Sequence, residues 1–256
     1  MVGALLAVLC GGVIGFSLGL VGGGGSILAV PMLLYIVGFR DPHIAIGTSA
    51  LAVSVNAFIG FAEHWRAGNV IWPCAAVFAI SGVIGAALGS TLGKLVDGKS
   101  LVLLFAFLMI AVGVAMLIPR KAGGTVPEKI DTPMAMRLSG MGFAAGCVSG
   151  FFGIGGGFLI VPGIMFACGM PIINAIGSSL LSVGAHGLTT AINYAISGYV
   201  DWWVAAEFIA GGAIGGYAGM KSANALAQKK KFLTHLFIVI IFAMAAYMIW
   251  RELGQF

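Results

Sequence analysis

Polar positions are so sparse along this chain that they mark boundaries between apolar runs rather than one side of a helix. The apolar runs are interrupted twice by clustered glycines, at Gly22–Gly25 and Gly153–Gly157. They predict two broken helix pairs, at about 4–21 with 26–38 and 138–152 with 157–169. Three apolar helices follow each pair, at 44–62, 70–93 and 100–119, then at 172–196, 202–220 and 232–250. About 20 helical residues cross ~30 Å of hydrocarbon, so the pattern predicts an all-α, polytopic membrane protein. Trp65, Trp72, Trp202, Trp203 and Trp250 fall at segment ends, where interfacial aromatics belong.

The pattern also repeats. GFSLGLVGGGGSILAVP (Gly15–Pro31) returns as GCVSGFFGIGGGFLIVP (Gly146–Pro162), with eight identities at a shift of 131. One deletion later the shift is 130, and AIGTSALAV (Ala45–Val53) meets AIGSSLLSV (Ala175–Val183). The reading is two homologous repeats, at 1–119 and 135–256, joined by a polar linker at 120–134. If each broken pair (4–38 and 138–169) is a hairpin, a copy crosses an odd number of times and the copies are inverted. One face then carries Arg66, Arg120, Lys121, Lys129, Arg137, Lys221 and Lys229–Lys231, against Arg40, Lys94, Lys99 and Arg251 on the other. That asymmetry favours the hairpin over a single crossing and places the linker in the cytoplasm.

Composition agrees. Of 256 residues 60% are hydrophobic and 8% charged, with 41 glycines; soluble domains carry about 25% charged residues. The +5 net charge reads as an orientation signal, and no nucleic-acid partner is expected. Cys10, Cys74, Cys147 and Cys168 lie in apolar segments without CxxC spacing and read as buried thiols. The start lacks a basic n-region and an A-x-A site, so no cleaved signal peptide is expected. His43, His64 and His235 show no metal-ligand spacing, and neither metal nor cofactor is expected.

Irregular backbone at membrane depth survives only where protein or a water-filled cavity satisfies it, and paired breaks point to a transporter's central site. Each new helix, starting near Ser26 or Phe158, offers free N–H groups and a positive dipole end. Glycine lets a small anion approach those amides. The candidate substrate site is therefore Gly22, Gly23, Gly24, Gly25 and Ser26 with Gly153, Gly155, Gly156 and Gly157. On the helix after each hairpin, Thr48, Ser49 and Asn56 correspond to Ser178, Ser179 and His186, and add neutral donors. The competing reading for the hydroxyls and Asn56 is interhelical hydrogen bonding. His186 is either a proton-coupling or anion-contacting group or a neutral structural histidine, and Glu207 either a proton relay or an interfacial residue. Glu63, His64 and Arg66 read as interfacial. Glycines spaced by four (Gly15/Gly19, Gly85/Gly89, Gly146/Gly150, Gly211/Gly215/Gly219) read as packing seams.

On GLVGGGGSILAVP and GFFGIGGGFLIVP, each followed by its AIGTS or AIGSS segment, the chain resembles the TauE/SafE family of membrane permeases over nearly its full length. The resemblance implies transport of a sulfur-containing anion: sulfite, an organosulfonate such as sulfoacetate, or thiosulfate. Its shared motif falls on Gly22–Gly25 and Gly153–Gly157. The expectation is a multi-pass inner-membrane secondary transporter, an exporter working by alternating access, with a passive anion channel or an oxyanion permease as the alternative. Small-residue seams would allow a homodimer. No catalytic constellation accompanies His186, Glu207 or Glu63, so an enzyme is not expected.

Overall fold

The computed structural model describes residues 2–21, 23–117, 131–225 and 230–253. Gly22, the stretch 118–130 with its Arg120, Lys121 and Lys129, and Lys229 lie outside the described residues. Those that are described contain helices and no strand. The order is α1 (Val2–Val21), a 3₁₀ segment (Gly23–Leu28), α2 (Ala29–Met32), a π-helical turn (Leu33–Val37), α3 (Pro42–Arg66), α4 (Trp72–Leu95) and α5 (Gly98–Leu117). Then come α6 (Thr132–Phe152), α7 (Gly157–Cys168), α8 (Ile172–Ile196), α9 (Trp202–Ala225) and α10 (Lys230–Leu253). By length and apolar composition α3, α4, α5 and α8 can each cross a membrane.

Local chemistry sets the boundaries. Asp41 caps α3 by accepting from the His43 amide (2.8 Å), with Pro42 pre-set for the first turn. Asp131 accepts from the Met134 amide (2.9 Å), with Pro133 behind it, so α6 starts at Thr132, inside the stretch read as linker. The segment after the first glycine run is not the single helix the pattern suggests. It passes from 3₁₀ through one α turn around Pro31 to a π turn. Pro31 has no N–H to give, and the glycine-rich start holds the chain weakly to α geometry.

The chain doubles back at both glycine breaks. Gly3 and Ala4, at the start of α1, share a cavity wall with Val37, Gly38 and Phe39 at the far end of the following segment. In the second half Phe78, near the start of α4, faces both Gly142 of α6 and Gly163 of α7, and Cys168 at the end of α7 meets Cys74. α7 has only 12 residues, about 18 Å at 1.5 Å per residue, some half of a bilayer core.

Helix pairing is exchanged between the halves. α1 lies along α9, with Gly11 against Phe208, Gly15 against Gly212 and Gly219 against Phe16, so the two run parallel. α4 lies along α6 in the same way, through Gly85 and Gly89 against Phe143 and Cys147, and Gly150 against Ala86. These glycine seams bring backbone onto backbone, the close approach that small residues allow in lipid. The counterpart helices α3 and α8 cross antiparallel at the centre. Ser54 Oγ donates to the Gly184 carbonyl (2.7 Å), Gly187 packs on Ala50, and Gly60 packs on Leu180. Opposite directions for counterpart helices are compatible with copies of opposite orientation.

Candidate functional site

The second glycine turn shows what the unusual backbone does. α6 ends at Phe152, and Gly153, Gly155 and Gly156 all take left-handed φ values of +66°, +66° and +67°. A side chain in that region costs about 1–2 kcal/mol, so three glycines in four positions let the chain reverse within one turn. Ile154, between them, is buried. α7 then begins, with the Leu159 and Ile160 amides donating to the Gly156 carbonyl (2.9 and 3.1 Å).

The turn sits halfway along the two central helices. A Cβ on Gly155 would lie 3.0 Å from Val53 and 3.0 Å from Val183, each the twelfth of 25 residues in α3 and α8 respectively. A Cβ on Gly153 would press on Ile46 of α3, and the Ser49 hydroxyl reaches the Gly153 carbonyl at 3.4 Å. Ser149, one turn before the break, packs where a Cβ on Gly156 would go. The 3₁₀ segment from the first glycine run packs against α7, so the two broken hairpins meet. Gly153–Gly157 are buried. Ile46, Val53 and Val183 pack against the second glycine turn.

The remaining sequence candidates divide. Gly23, Gly24, Gly25 and Ser26 belong to the 3₁₀ segment, with Ser26 buried. Thr48 and Ser178 serve the connections instead. Thr48 Oγ1 accepts from the Asp201 amide (3.0 Å) ahead of α9, and Ser178 Oγ accepts from the Ile71 amide (2.9 Å) ahead of α4. Both lie near the starts of their helices, each binding the loop that follows the antiparallel partner. Ser49 and Ser179 also donate to their own helices, at the carbonyls of Ile46 (2.9 Å) and Ile176 (2.8 Å).

Asn56 and His186 lie three residues beyond Val53 and Val183, and each fills the notch of a glycine on a neighbouring helix. Asn56 lies against Gly212 of α9, and His186 against Gly82 of α4. His186 is fully buried and stacks on Phe78 at 6.5 Å, its nitrogens toward the Phe78 and Ala79 carbonyls without reaching hydrogen-bond geometry. Neither side chain is directed at the glycine turn. Glu207 is half-buried near the start of α9, on a cavity of about 400 Å³ with Gly3, Val37 and Trp203. It is an end-of-helix group, not a central one.

Sequence reading missed Ser149. Its hydroxyl is buried at the turn without a hydrogen-bond partner, and such groups in a native interior call for an explanation. The available signal was its place beside Gly150 in CVSGFFGIGGG, where the first half has Leu18. Ser182 Oγ, next to Val183, is likewise buried and unpartnered. The centre thus combines a left-handed backbone turn, neutral hydroxyls and an apolar seal.

Residues 7–248 match the model of the family described as Sulfite exporter TauE/SafE. A "probable membrane transporter protein" of Xylella fastidiosa (strain Temecula1) is 51% identical over 252 residues, covering 97% of this chain and 95% of that protein. The "probable membrane transporter protein YunE" of Bacillus subtilis (strain 168) is 26% identical over 258 residues, covering 93% and 94%. No solved structure matches the chain.

Proposed function

Because this chain belongs to the sulfite exporter TauE/SafE family of membrane transporters, we propose that it is a secondary carrier of a small sulfur-containing anion, sulfite or an organosulfonate, across the inner membrane. The observation that carries the reading is the meeting of the two glycine-broken hairpins halfway along α3 and α8. Backbone amides at the start of α7 and the hydroxyls of Ser49, Ser149 and Ser182 are neutral donors, suited to an oxyanion that must also leave. The closed turn is then the occluded state of an alternating-access cycle. Separating the turn from Ile46, Val53 and Val183 admits the anion, and the two inverted halves rock about it. Export is the direction proposed.

Reconstitution into proteoliposomes tests this. Loaded unlabelled sulfite should drive saturable counterflow of ³⁵S-sulfite, which a passive channel does not produce. Gly155→Ala introduces a left-handed alanine that Val53 and Val183 accommodate only by shifting by tenths of an ångström. It should abolish flux in a chain that still inserts and runs as a single species in gel filtration. Lack of saturable flux for sulfite, thiosulfate, taurine and sulfoacetate alike refutes the reading.

A further inference from the structure

Buried polar side-chain atoms that lack a partner are not scattered through the bundle. Among the described residues they belong to Tyr35, His43, Asn56, His64, Ser149, Ser182, His186 and Tyr194. Other buried hydroxyls of α3 and α8, those of Ser49, Ser54, Ser179 and Thr190, do find acceptors, so loose packing is not the cause. Apart from Tyr35 and His43, the orphans lie on two faces that the repeat relates. The shift of 130 carries Asn56 to His186 and His64 to Tyr194, and the shift of 131 carries Leu18 to Ser149.

The two faces are filled differently. Between α1, α3 and α9 a cavity of about 30 Å³ remains, with Leu18, Asn56, Glu63, His64 and Gly212 among its walls. Its counterpart lies between α6, α8 and α4. There His186 fills the notch of Gly82, the equivalent of Gly212. A Cβ added at Gly93 would meet both the Tyr194 hydroxyl (3.2 Å) and the Phe151 carbonyl, so the phenol reaches the end of α6, just ahead of the glycine turn. His186 and Tyr194 are both fully buried. Gly82 is the eleventh of 24 residues in α4, and Gly93 lies 11 residues on (93 less 82), about 16 Å of helix. The orphaned groups thus form a column from mid-bundle to the end that carries Lys94, whose ammonium holds Asn193 beside Tyr194. At that end the Tyr194 ring lies 6.2 Å from those of both His43 and Tyr199.

Burying Ser149, Ser182, His186 and Tyr194 unpaired is costly, and several of them together call for a state in which they have partners. Hydroxyls and an imidazole N–H can each donate to an oxyanion without trapping it as a fixed cation would. We propose that this column is the wall of the anion's path between the glycine turn and the Lys94 end, with Tyr194 as its gate and outermost contact. The inference rests on the carrier reading and gives His186 and Tyr194 a place in it. Inverted halves exchange conformations during transport. The space open beside Asn56 and His64, and the column closed at His186 and Tyr194, are then one device in its two states.

The test is thiol accessibility in the full-length chain with its four cysteines changed to alanine. A membrane-impermeant, anionic methanethiosulfonate is applied to intact cells and, separately, to inverted vesicles. Lys99→Cys and Ala67→Cys, at exposed positions, report which preparation presents which end. From the Lys99 end, Ser149→Cys and Ser182→Cys should be modified at least tenfold faster than Ala106→Cys, equally buried but in α5. Adding Tyr194→Ala should speed that modification a further tenfold. In the native chain, Tyr194→Phe keeps the ring and removes the orphaned hydroxyl. It should raise KM for sulfite at least fivefold while the thermal midpoint stays at or above wild type, whereas a purely structural hydroxyl would leave KM unmoved. Should the cysteine-free chain fail to fold, Tyr194→Phe decides. Modification no faster than at Ala106→Cys, or an unchanged KM in Tyr194→Phe, overturns the inference. Modification from the Lys99 end in a chain without any anion flux counts only against the carrier.

Discussion

Two glycines of α6, six residues apart, should respond to the same substitution with opposite signs. A Cβ on Gly146 would lie 2.7 Å from both Cα and C of Gly82 on α4, with the Gly82 carbonyl oxygen closer still. Ordinary contact begins at 3.4 Å, a shortfall of 0.7 Å (3.4 less 2.7) against backbone, where no rotamer change helps. Gly142 and Gly150, one turn to either side, meet Phe78 and Ala86 in the same seam, so α4 and α6 must part over about two turns. Gly140 is exposed, with nothing within 4 Å of its would-be Cβ. Both substitutions gain up to ~1 kcal/mol of helix propensity. Only Gly146→Ala carries the overlap cost, about 1–3 kcal/mol for forced overpacking and near the upper end for backbone. The two variants should therefore differ by about 1–3 kcal/mol, with Gly140→Ala at or above wild type. Denaturant unfolding in mixed micelles, or steric trapping in bicelles, measures the difference. Equal stabilities for the two variants would refute the seam as described.

Two further outcomes are expected. Thr48→Val and Ser178→Ala each remove the acceptor of a loop amide, at Asp201 and Ile71, and should cost about 1–2 kcal/mol. Thermal unfolding checks this, and unchanged KM for sulfite in the same variants separates a structural hydroxyl from a substrate contact. Cys74 and Cys168, with sulfurs 2.8 Å apart, are two of four free thiols. Diamide treatment should leave two of the four thiols reactive to maleimide after denaturation; the Cys74→Ser/Cys168→Ser variant also has two, so the decisive readout is a Cys74–Cys168 linked peptide. Its absence from wild type under oxidation would contradict their contact.

The glycine breaks were legible because clustered glycines in an apolar run have few other uses, and because the chain states them twice. The partners of the four-spaced glycines were not legible. Gly15 announces a close contact by its spacing, yet nothing local says that the contact is Gly212, across the other half. The same distance hid the role of Thr48, whose hydroxyl serves an amide 153 positions away. Glu63 read as interfacial because it lies in the last turn of α3. Only the approach of α1 and α9 around it encloses a space. The apolar seal over the glycine turn also comes from tertiary packing, since Val53 and Val183 look like any other valines in a membrane helix.

The exchange of α1 and α6 between halves has a consequence for biosynthesis. α6 follows its partner α4 by some 60 positions, but Gly11 must wait for Phe208, 197 residues later (208 less 11). At ~5–20 residues per second of synthesis, that is roughly 10–40 s. Through that interval the glycine edge of α1 that will meet α9 has only lipid or an insertase to lean on, while its other side can already pack against the following segment. The pairing of α1 with α9 is then a late closure, in which a segment made near the end captures one made long before.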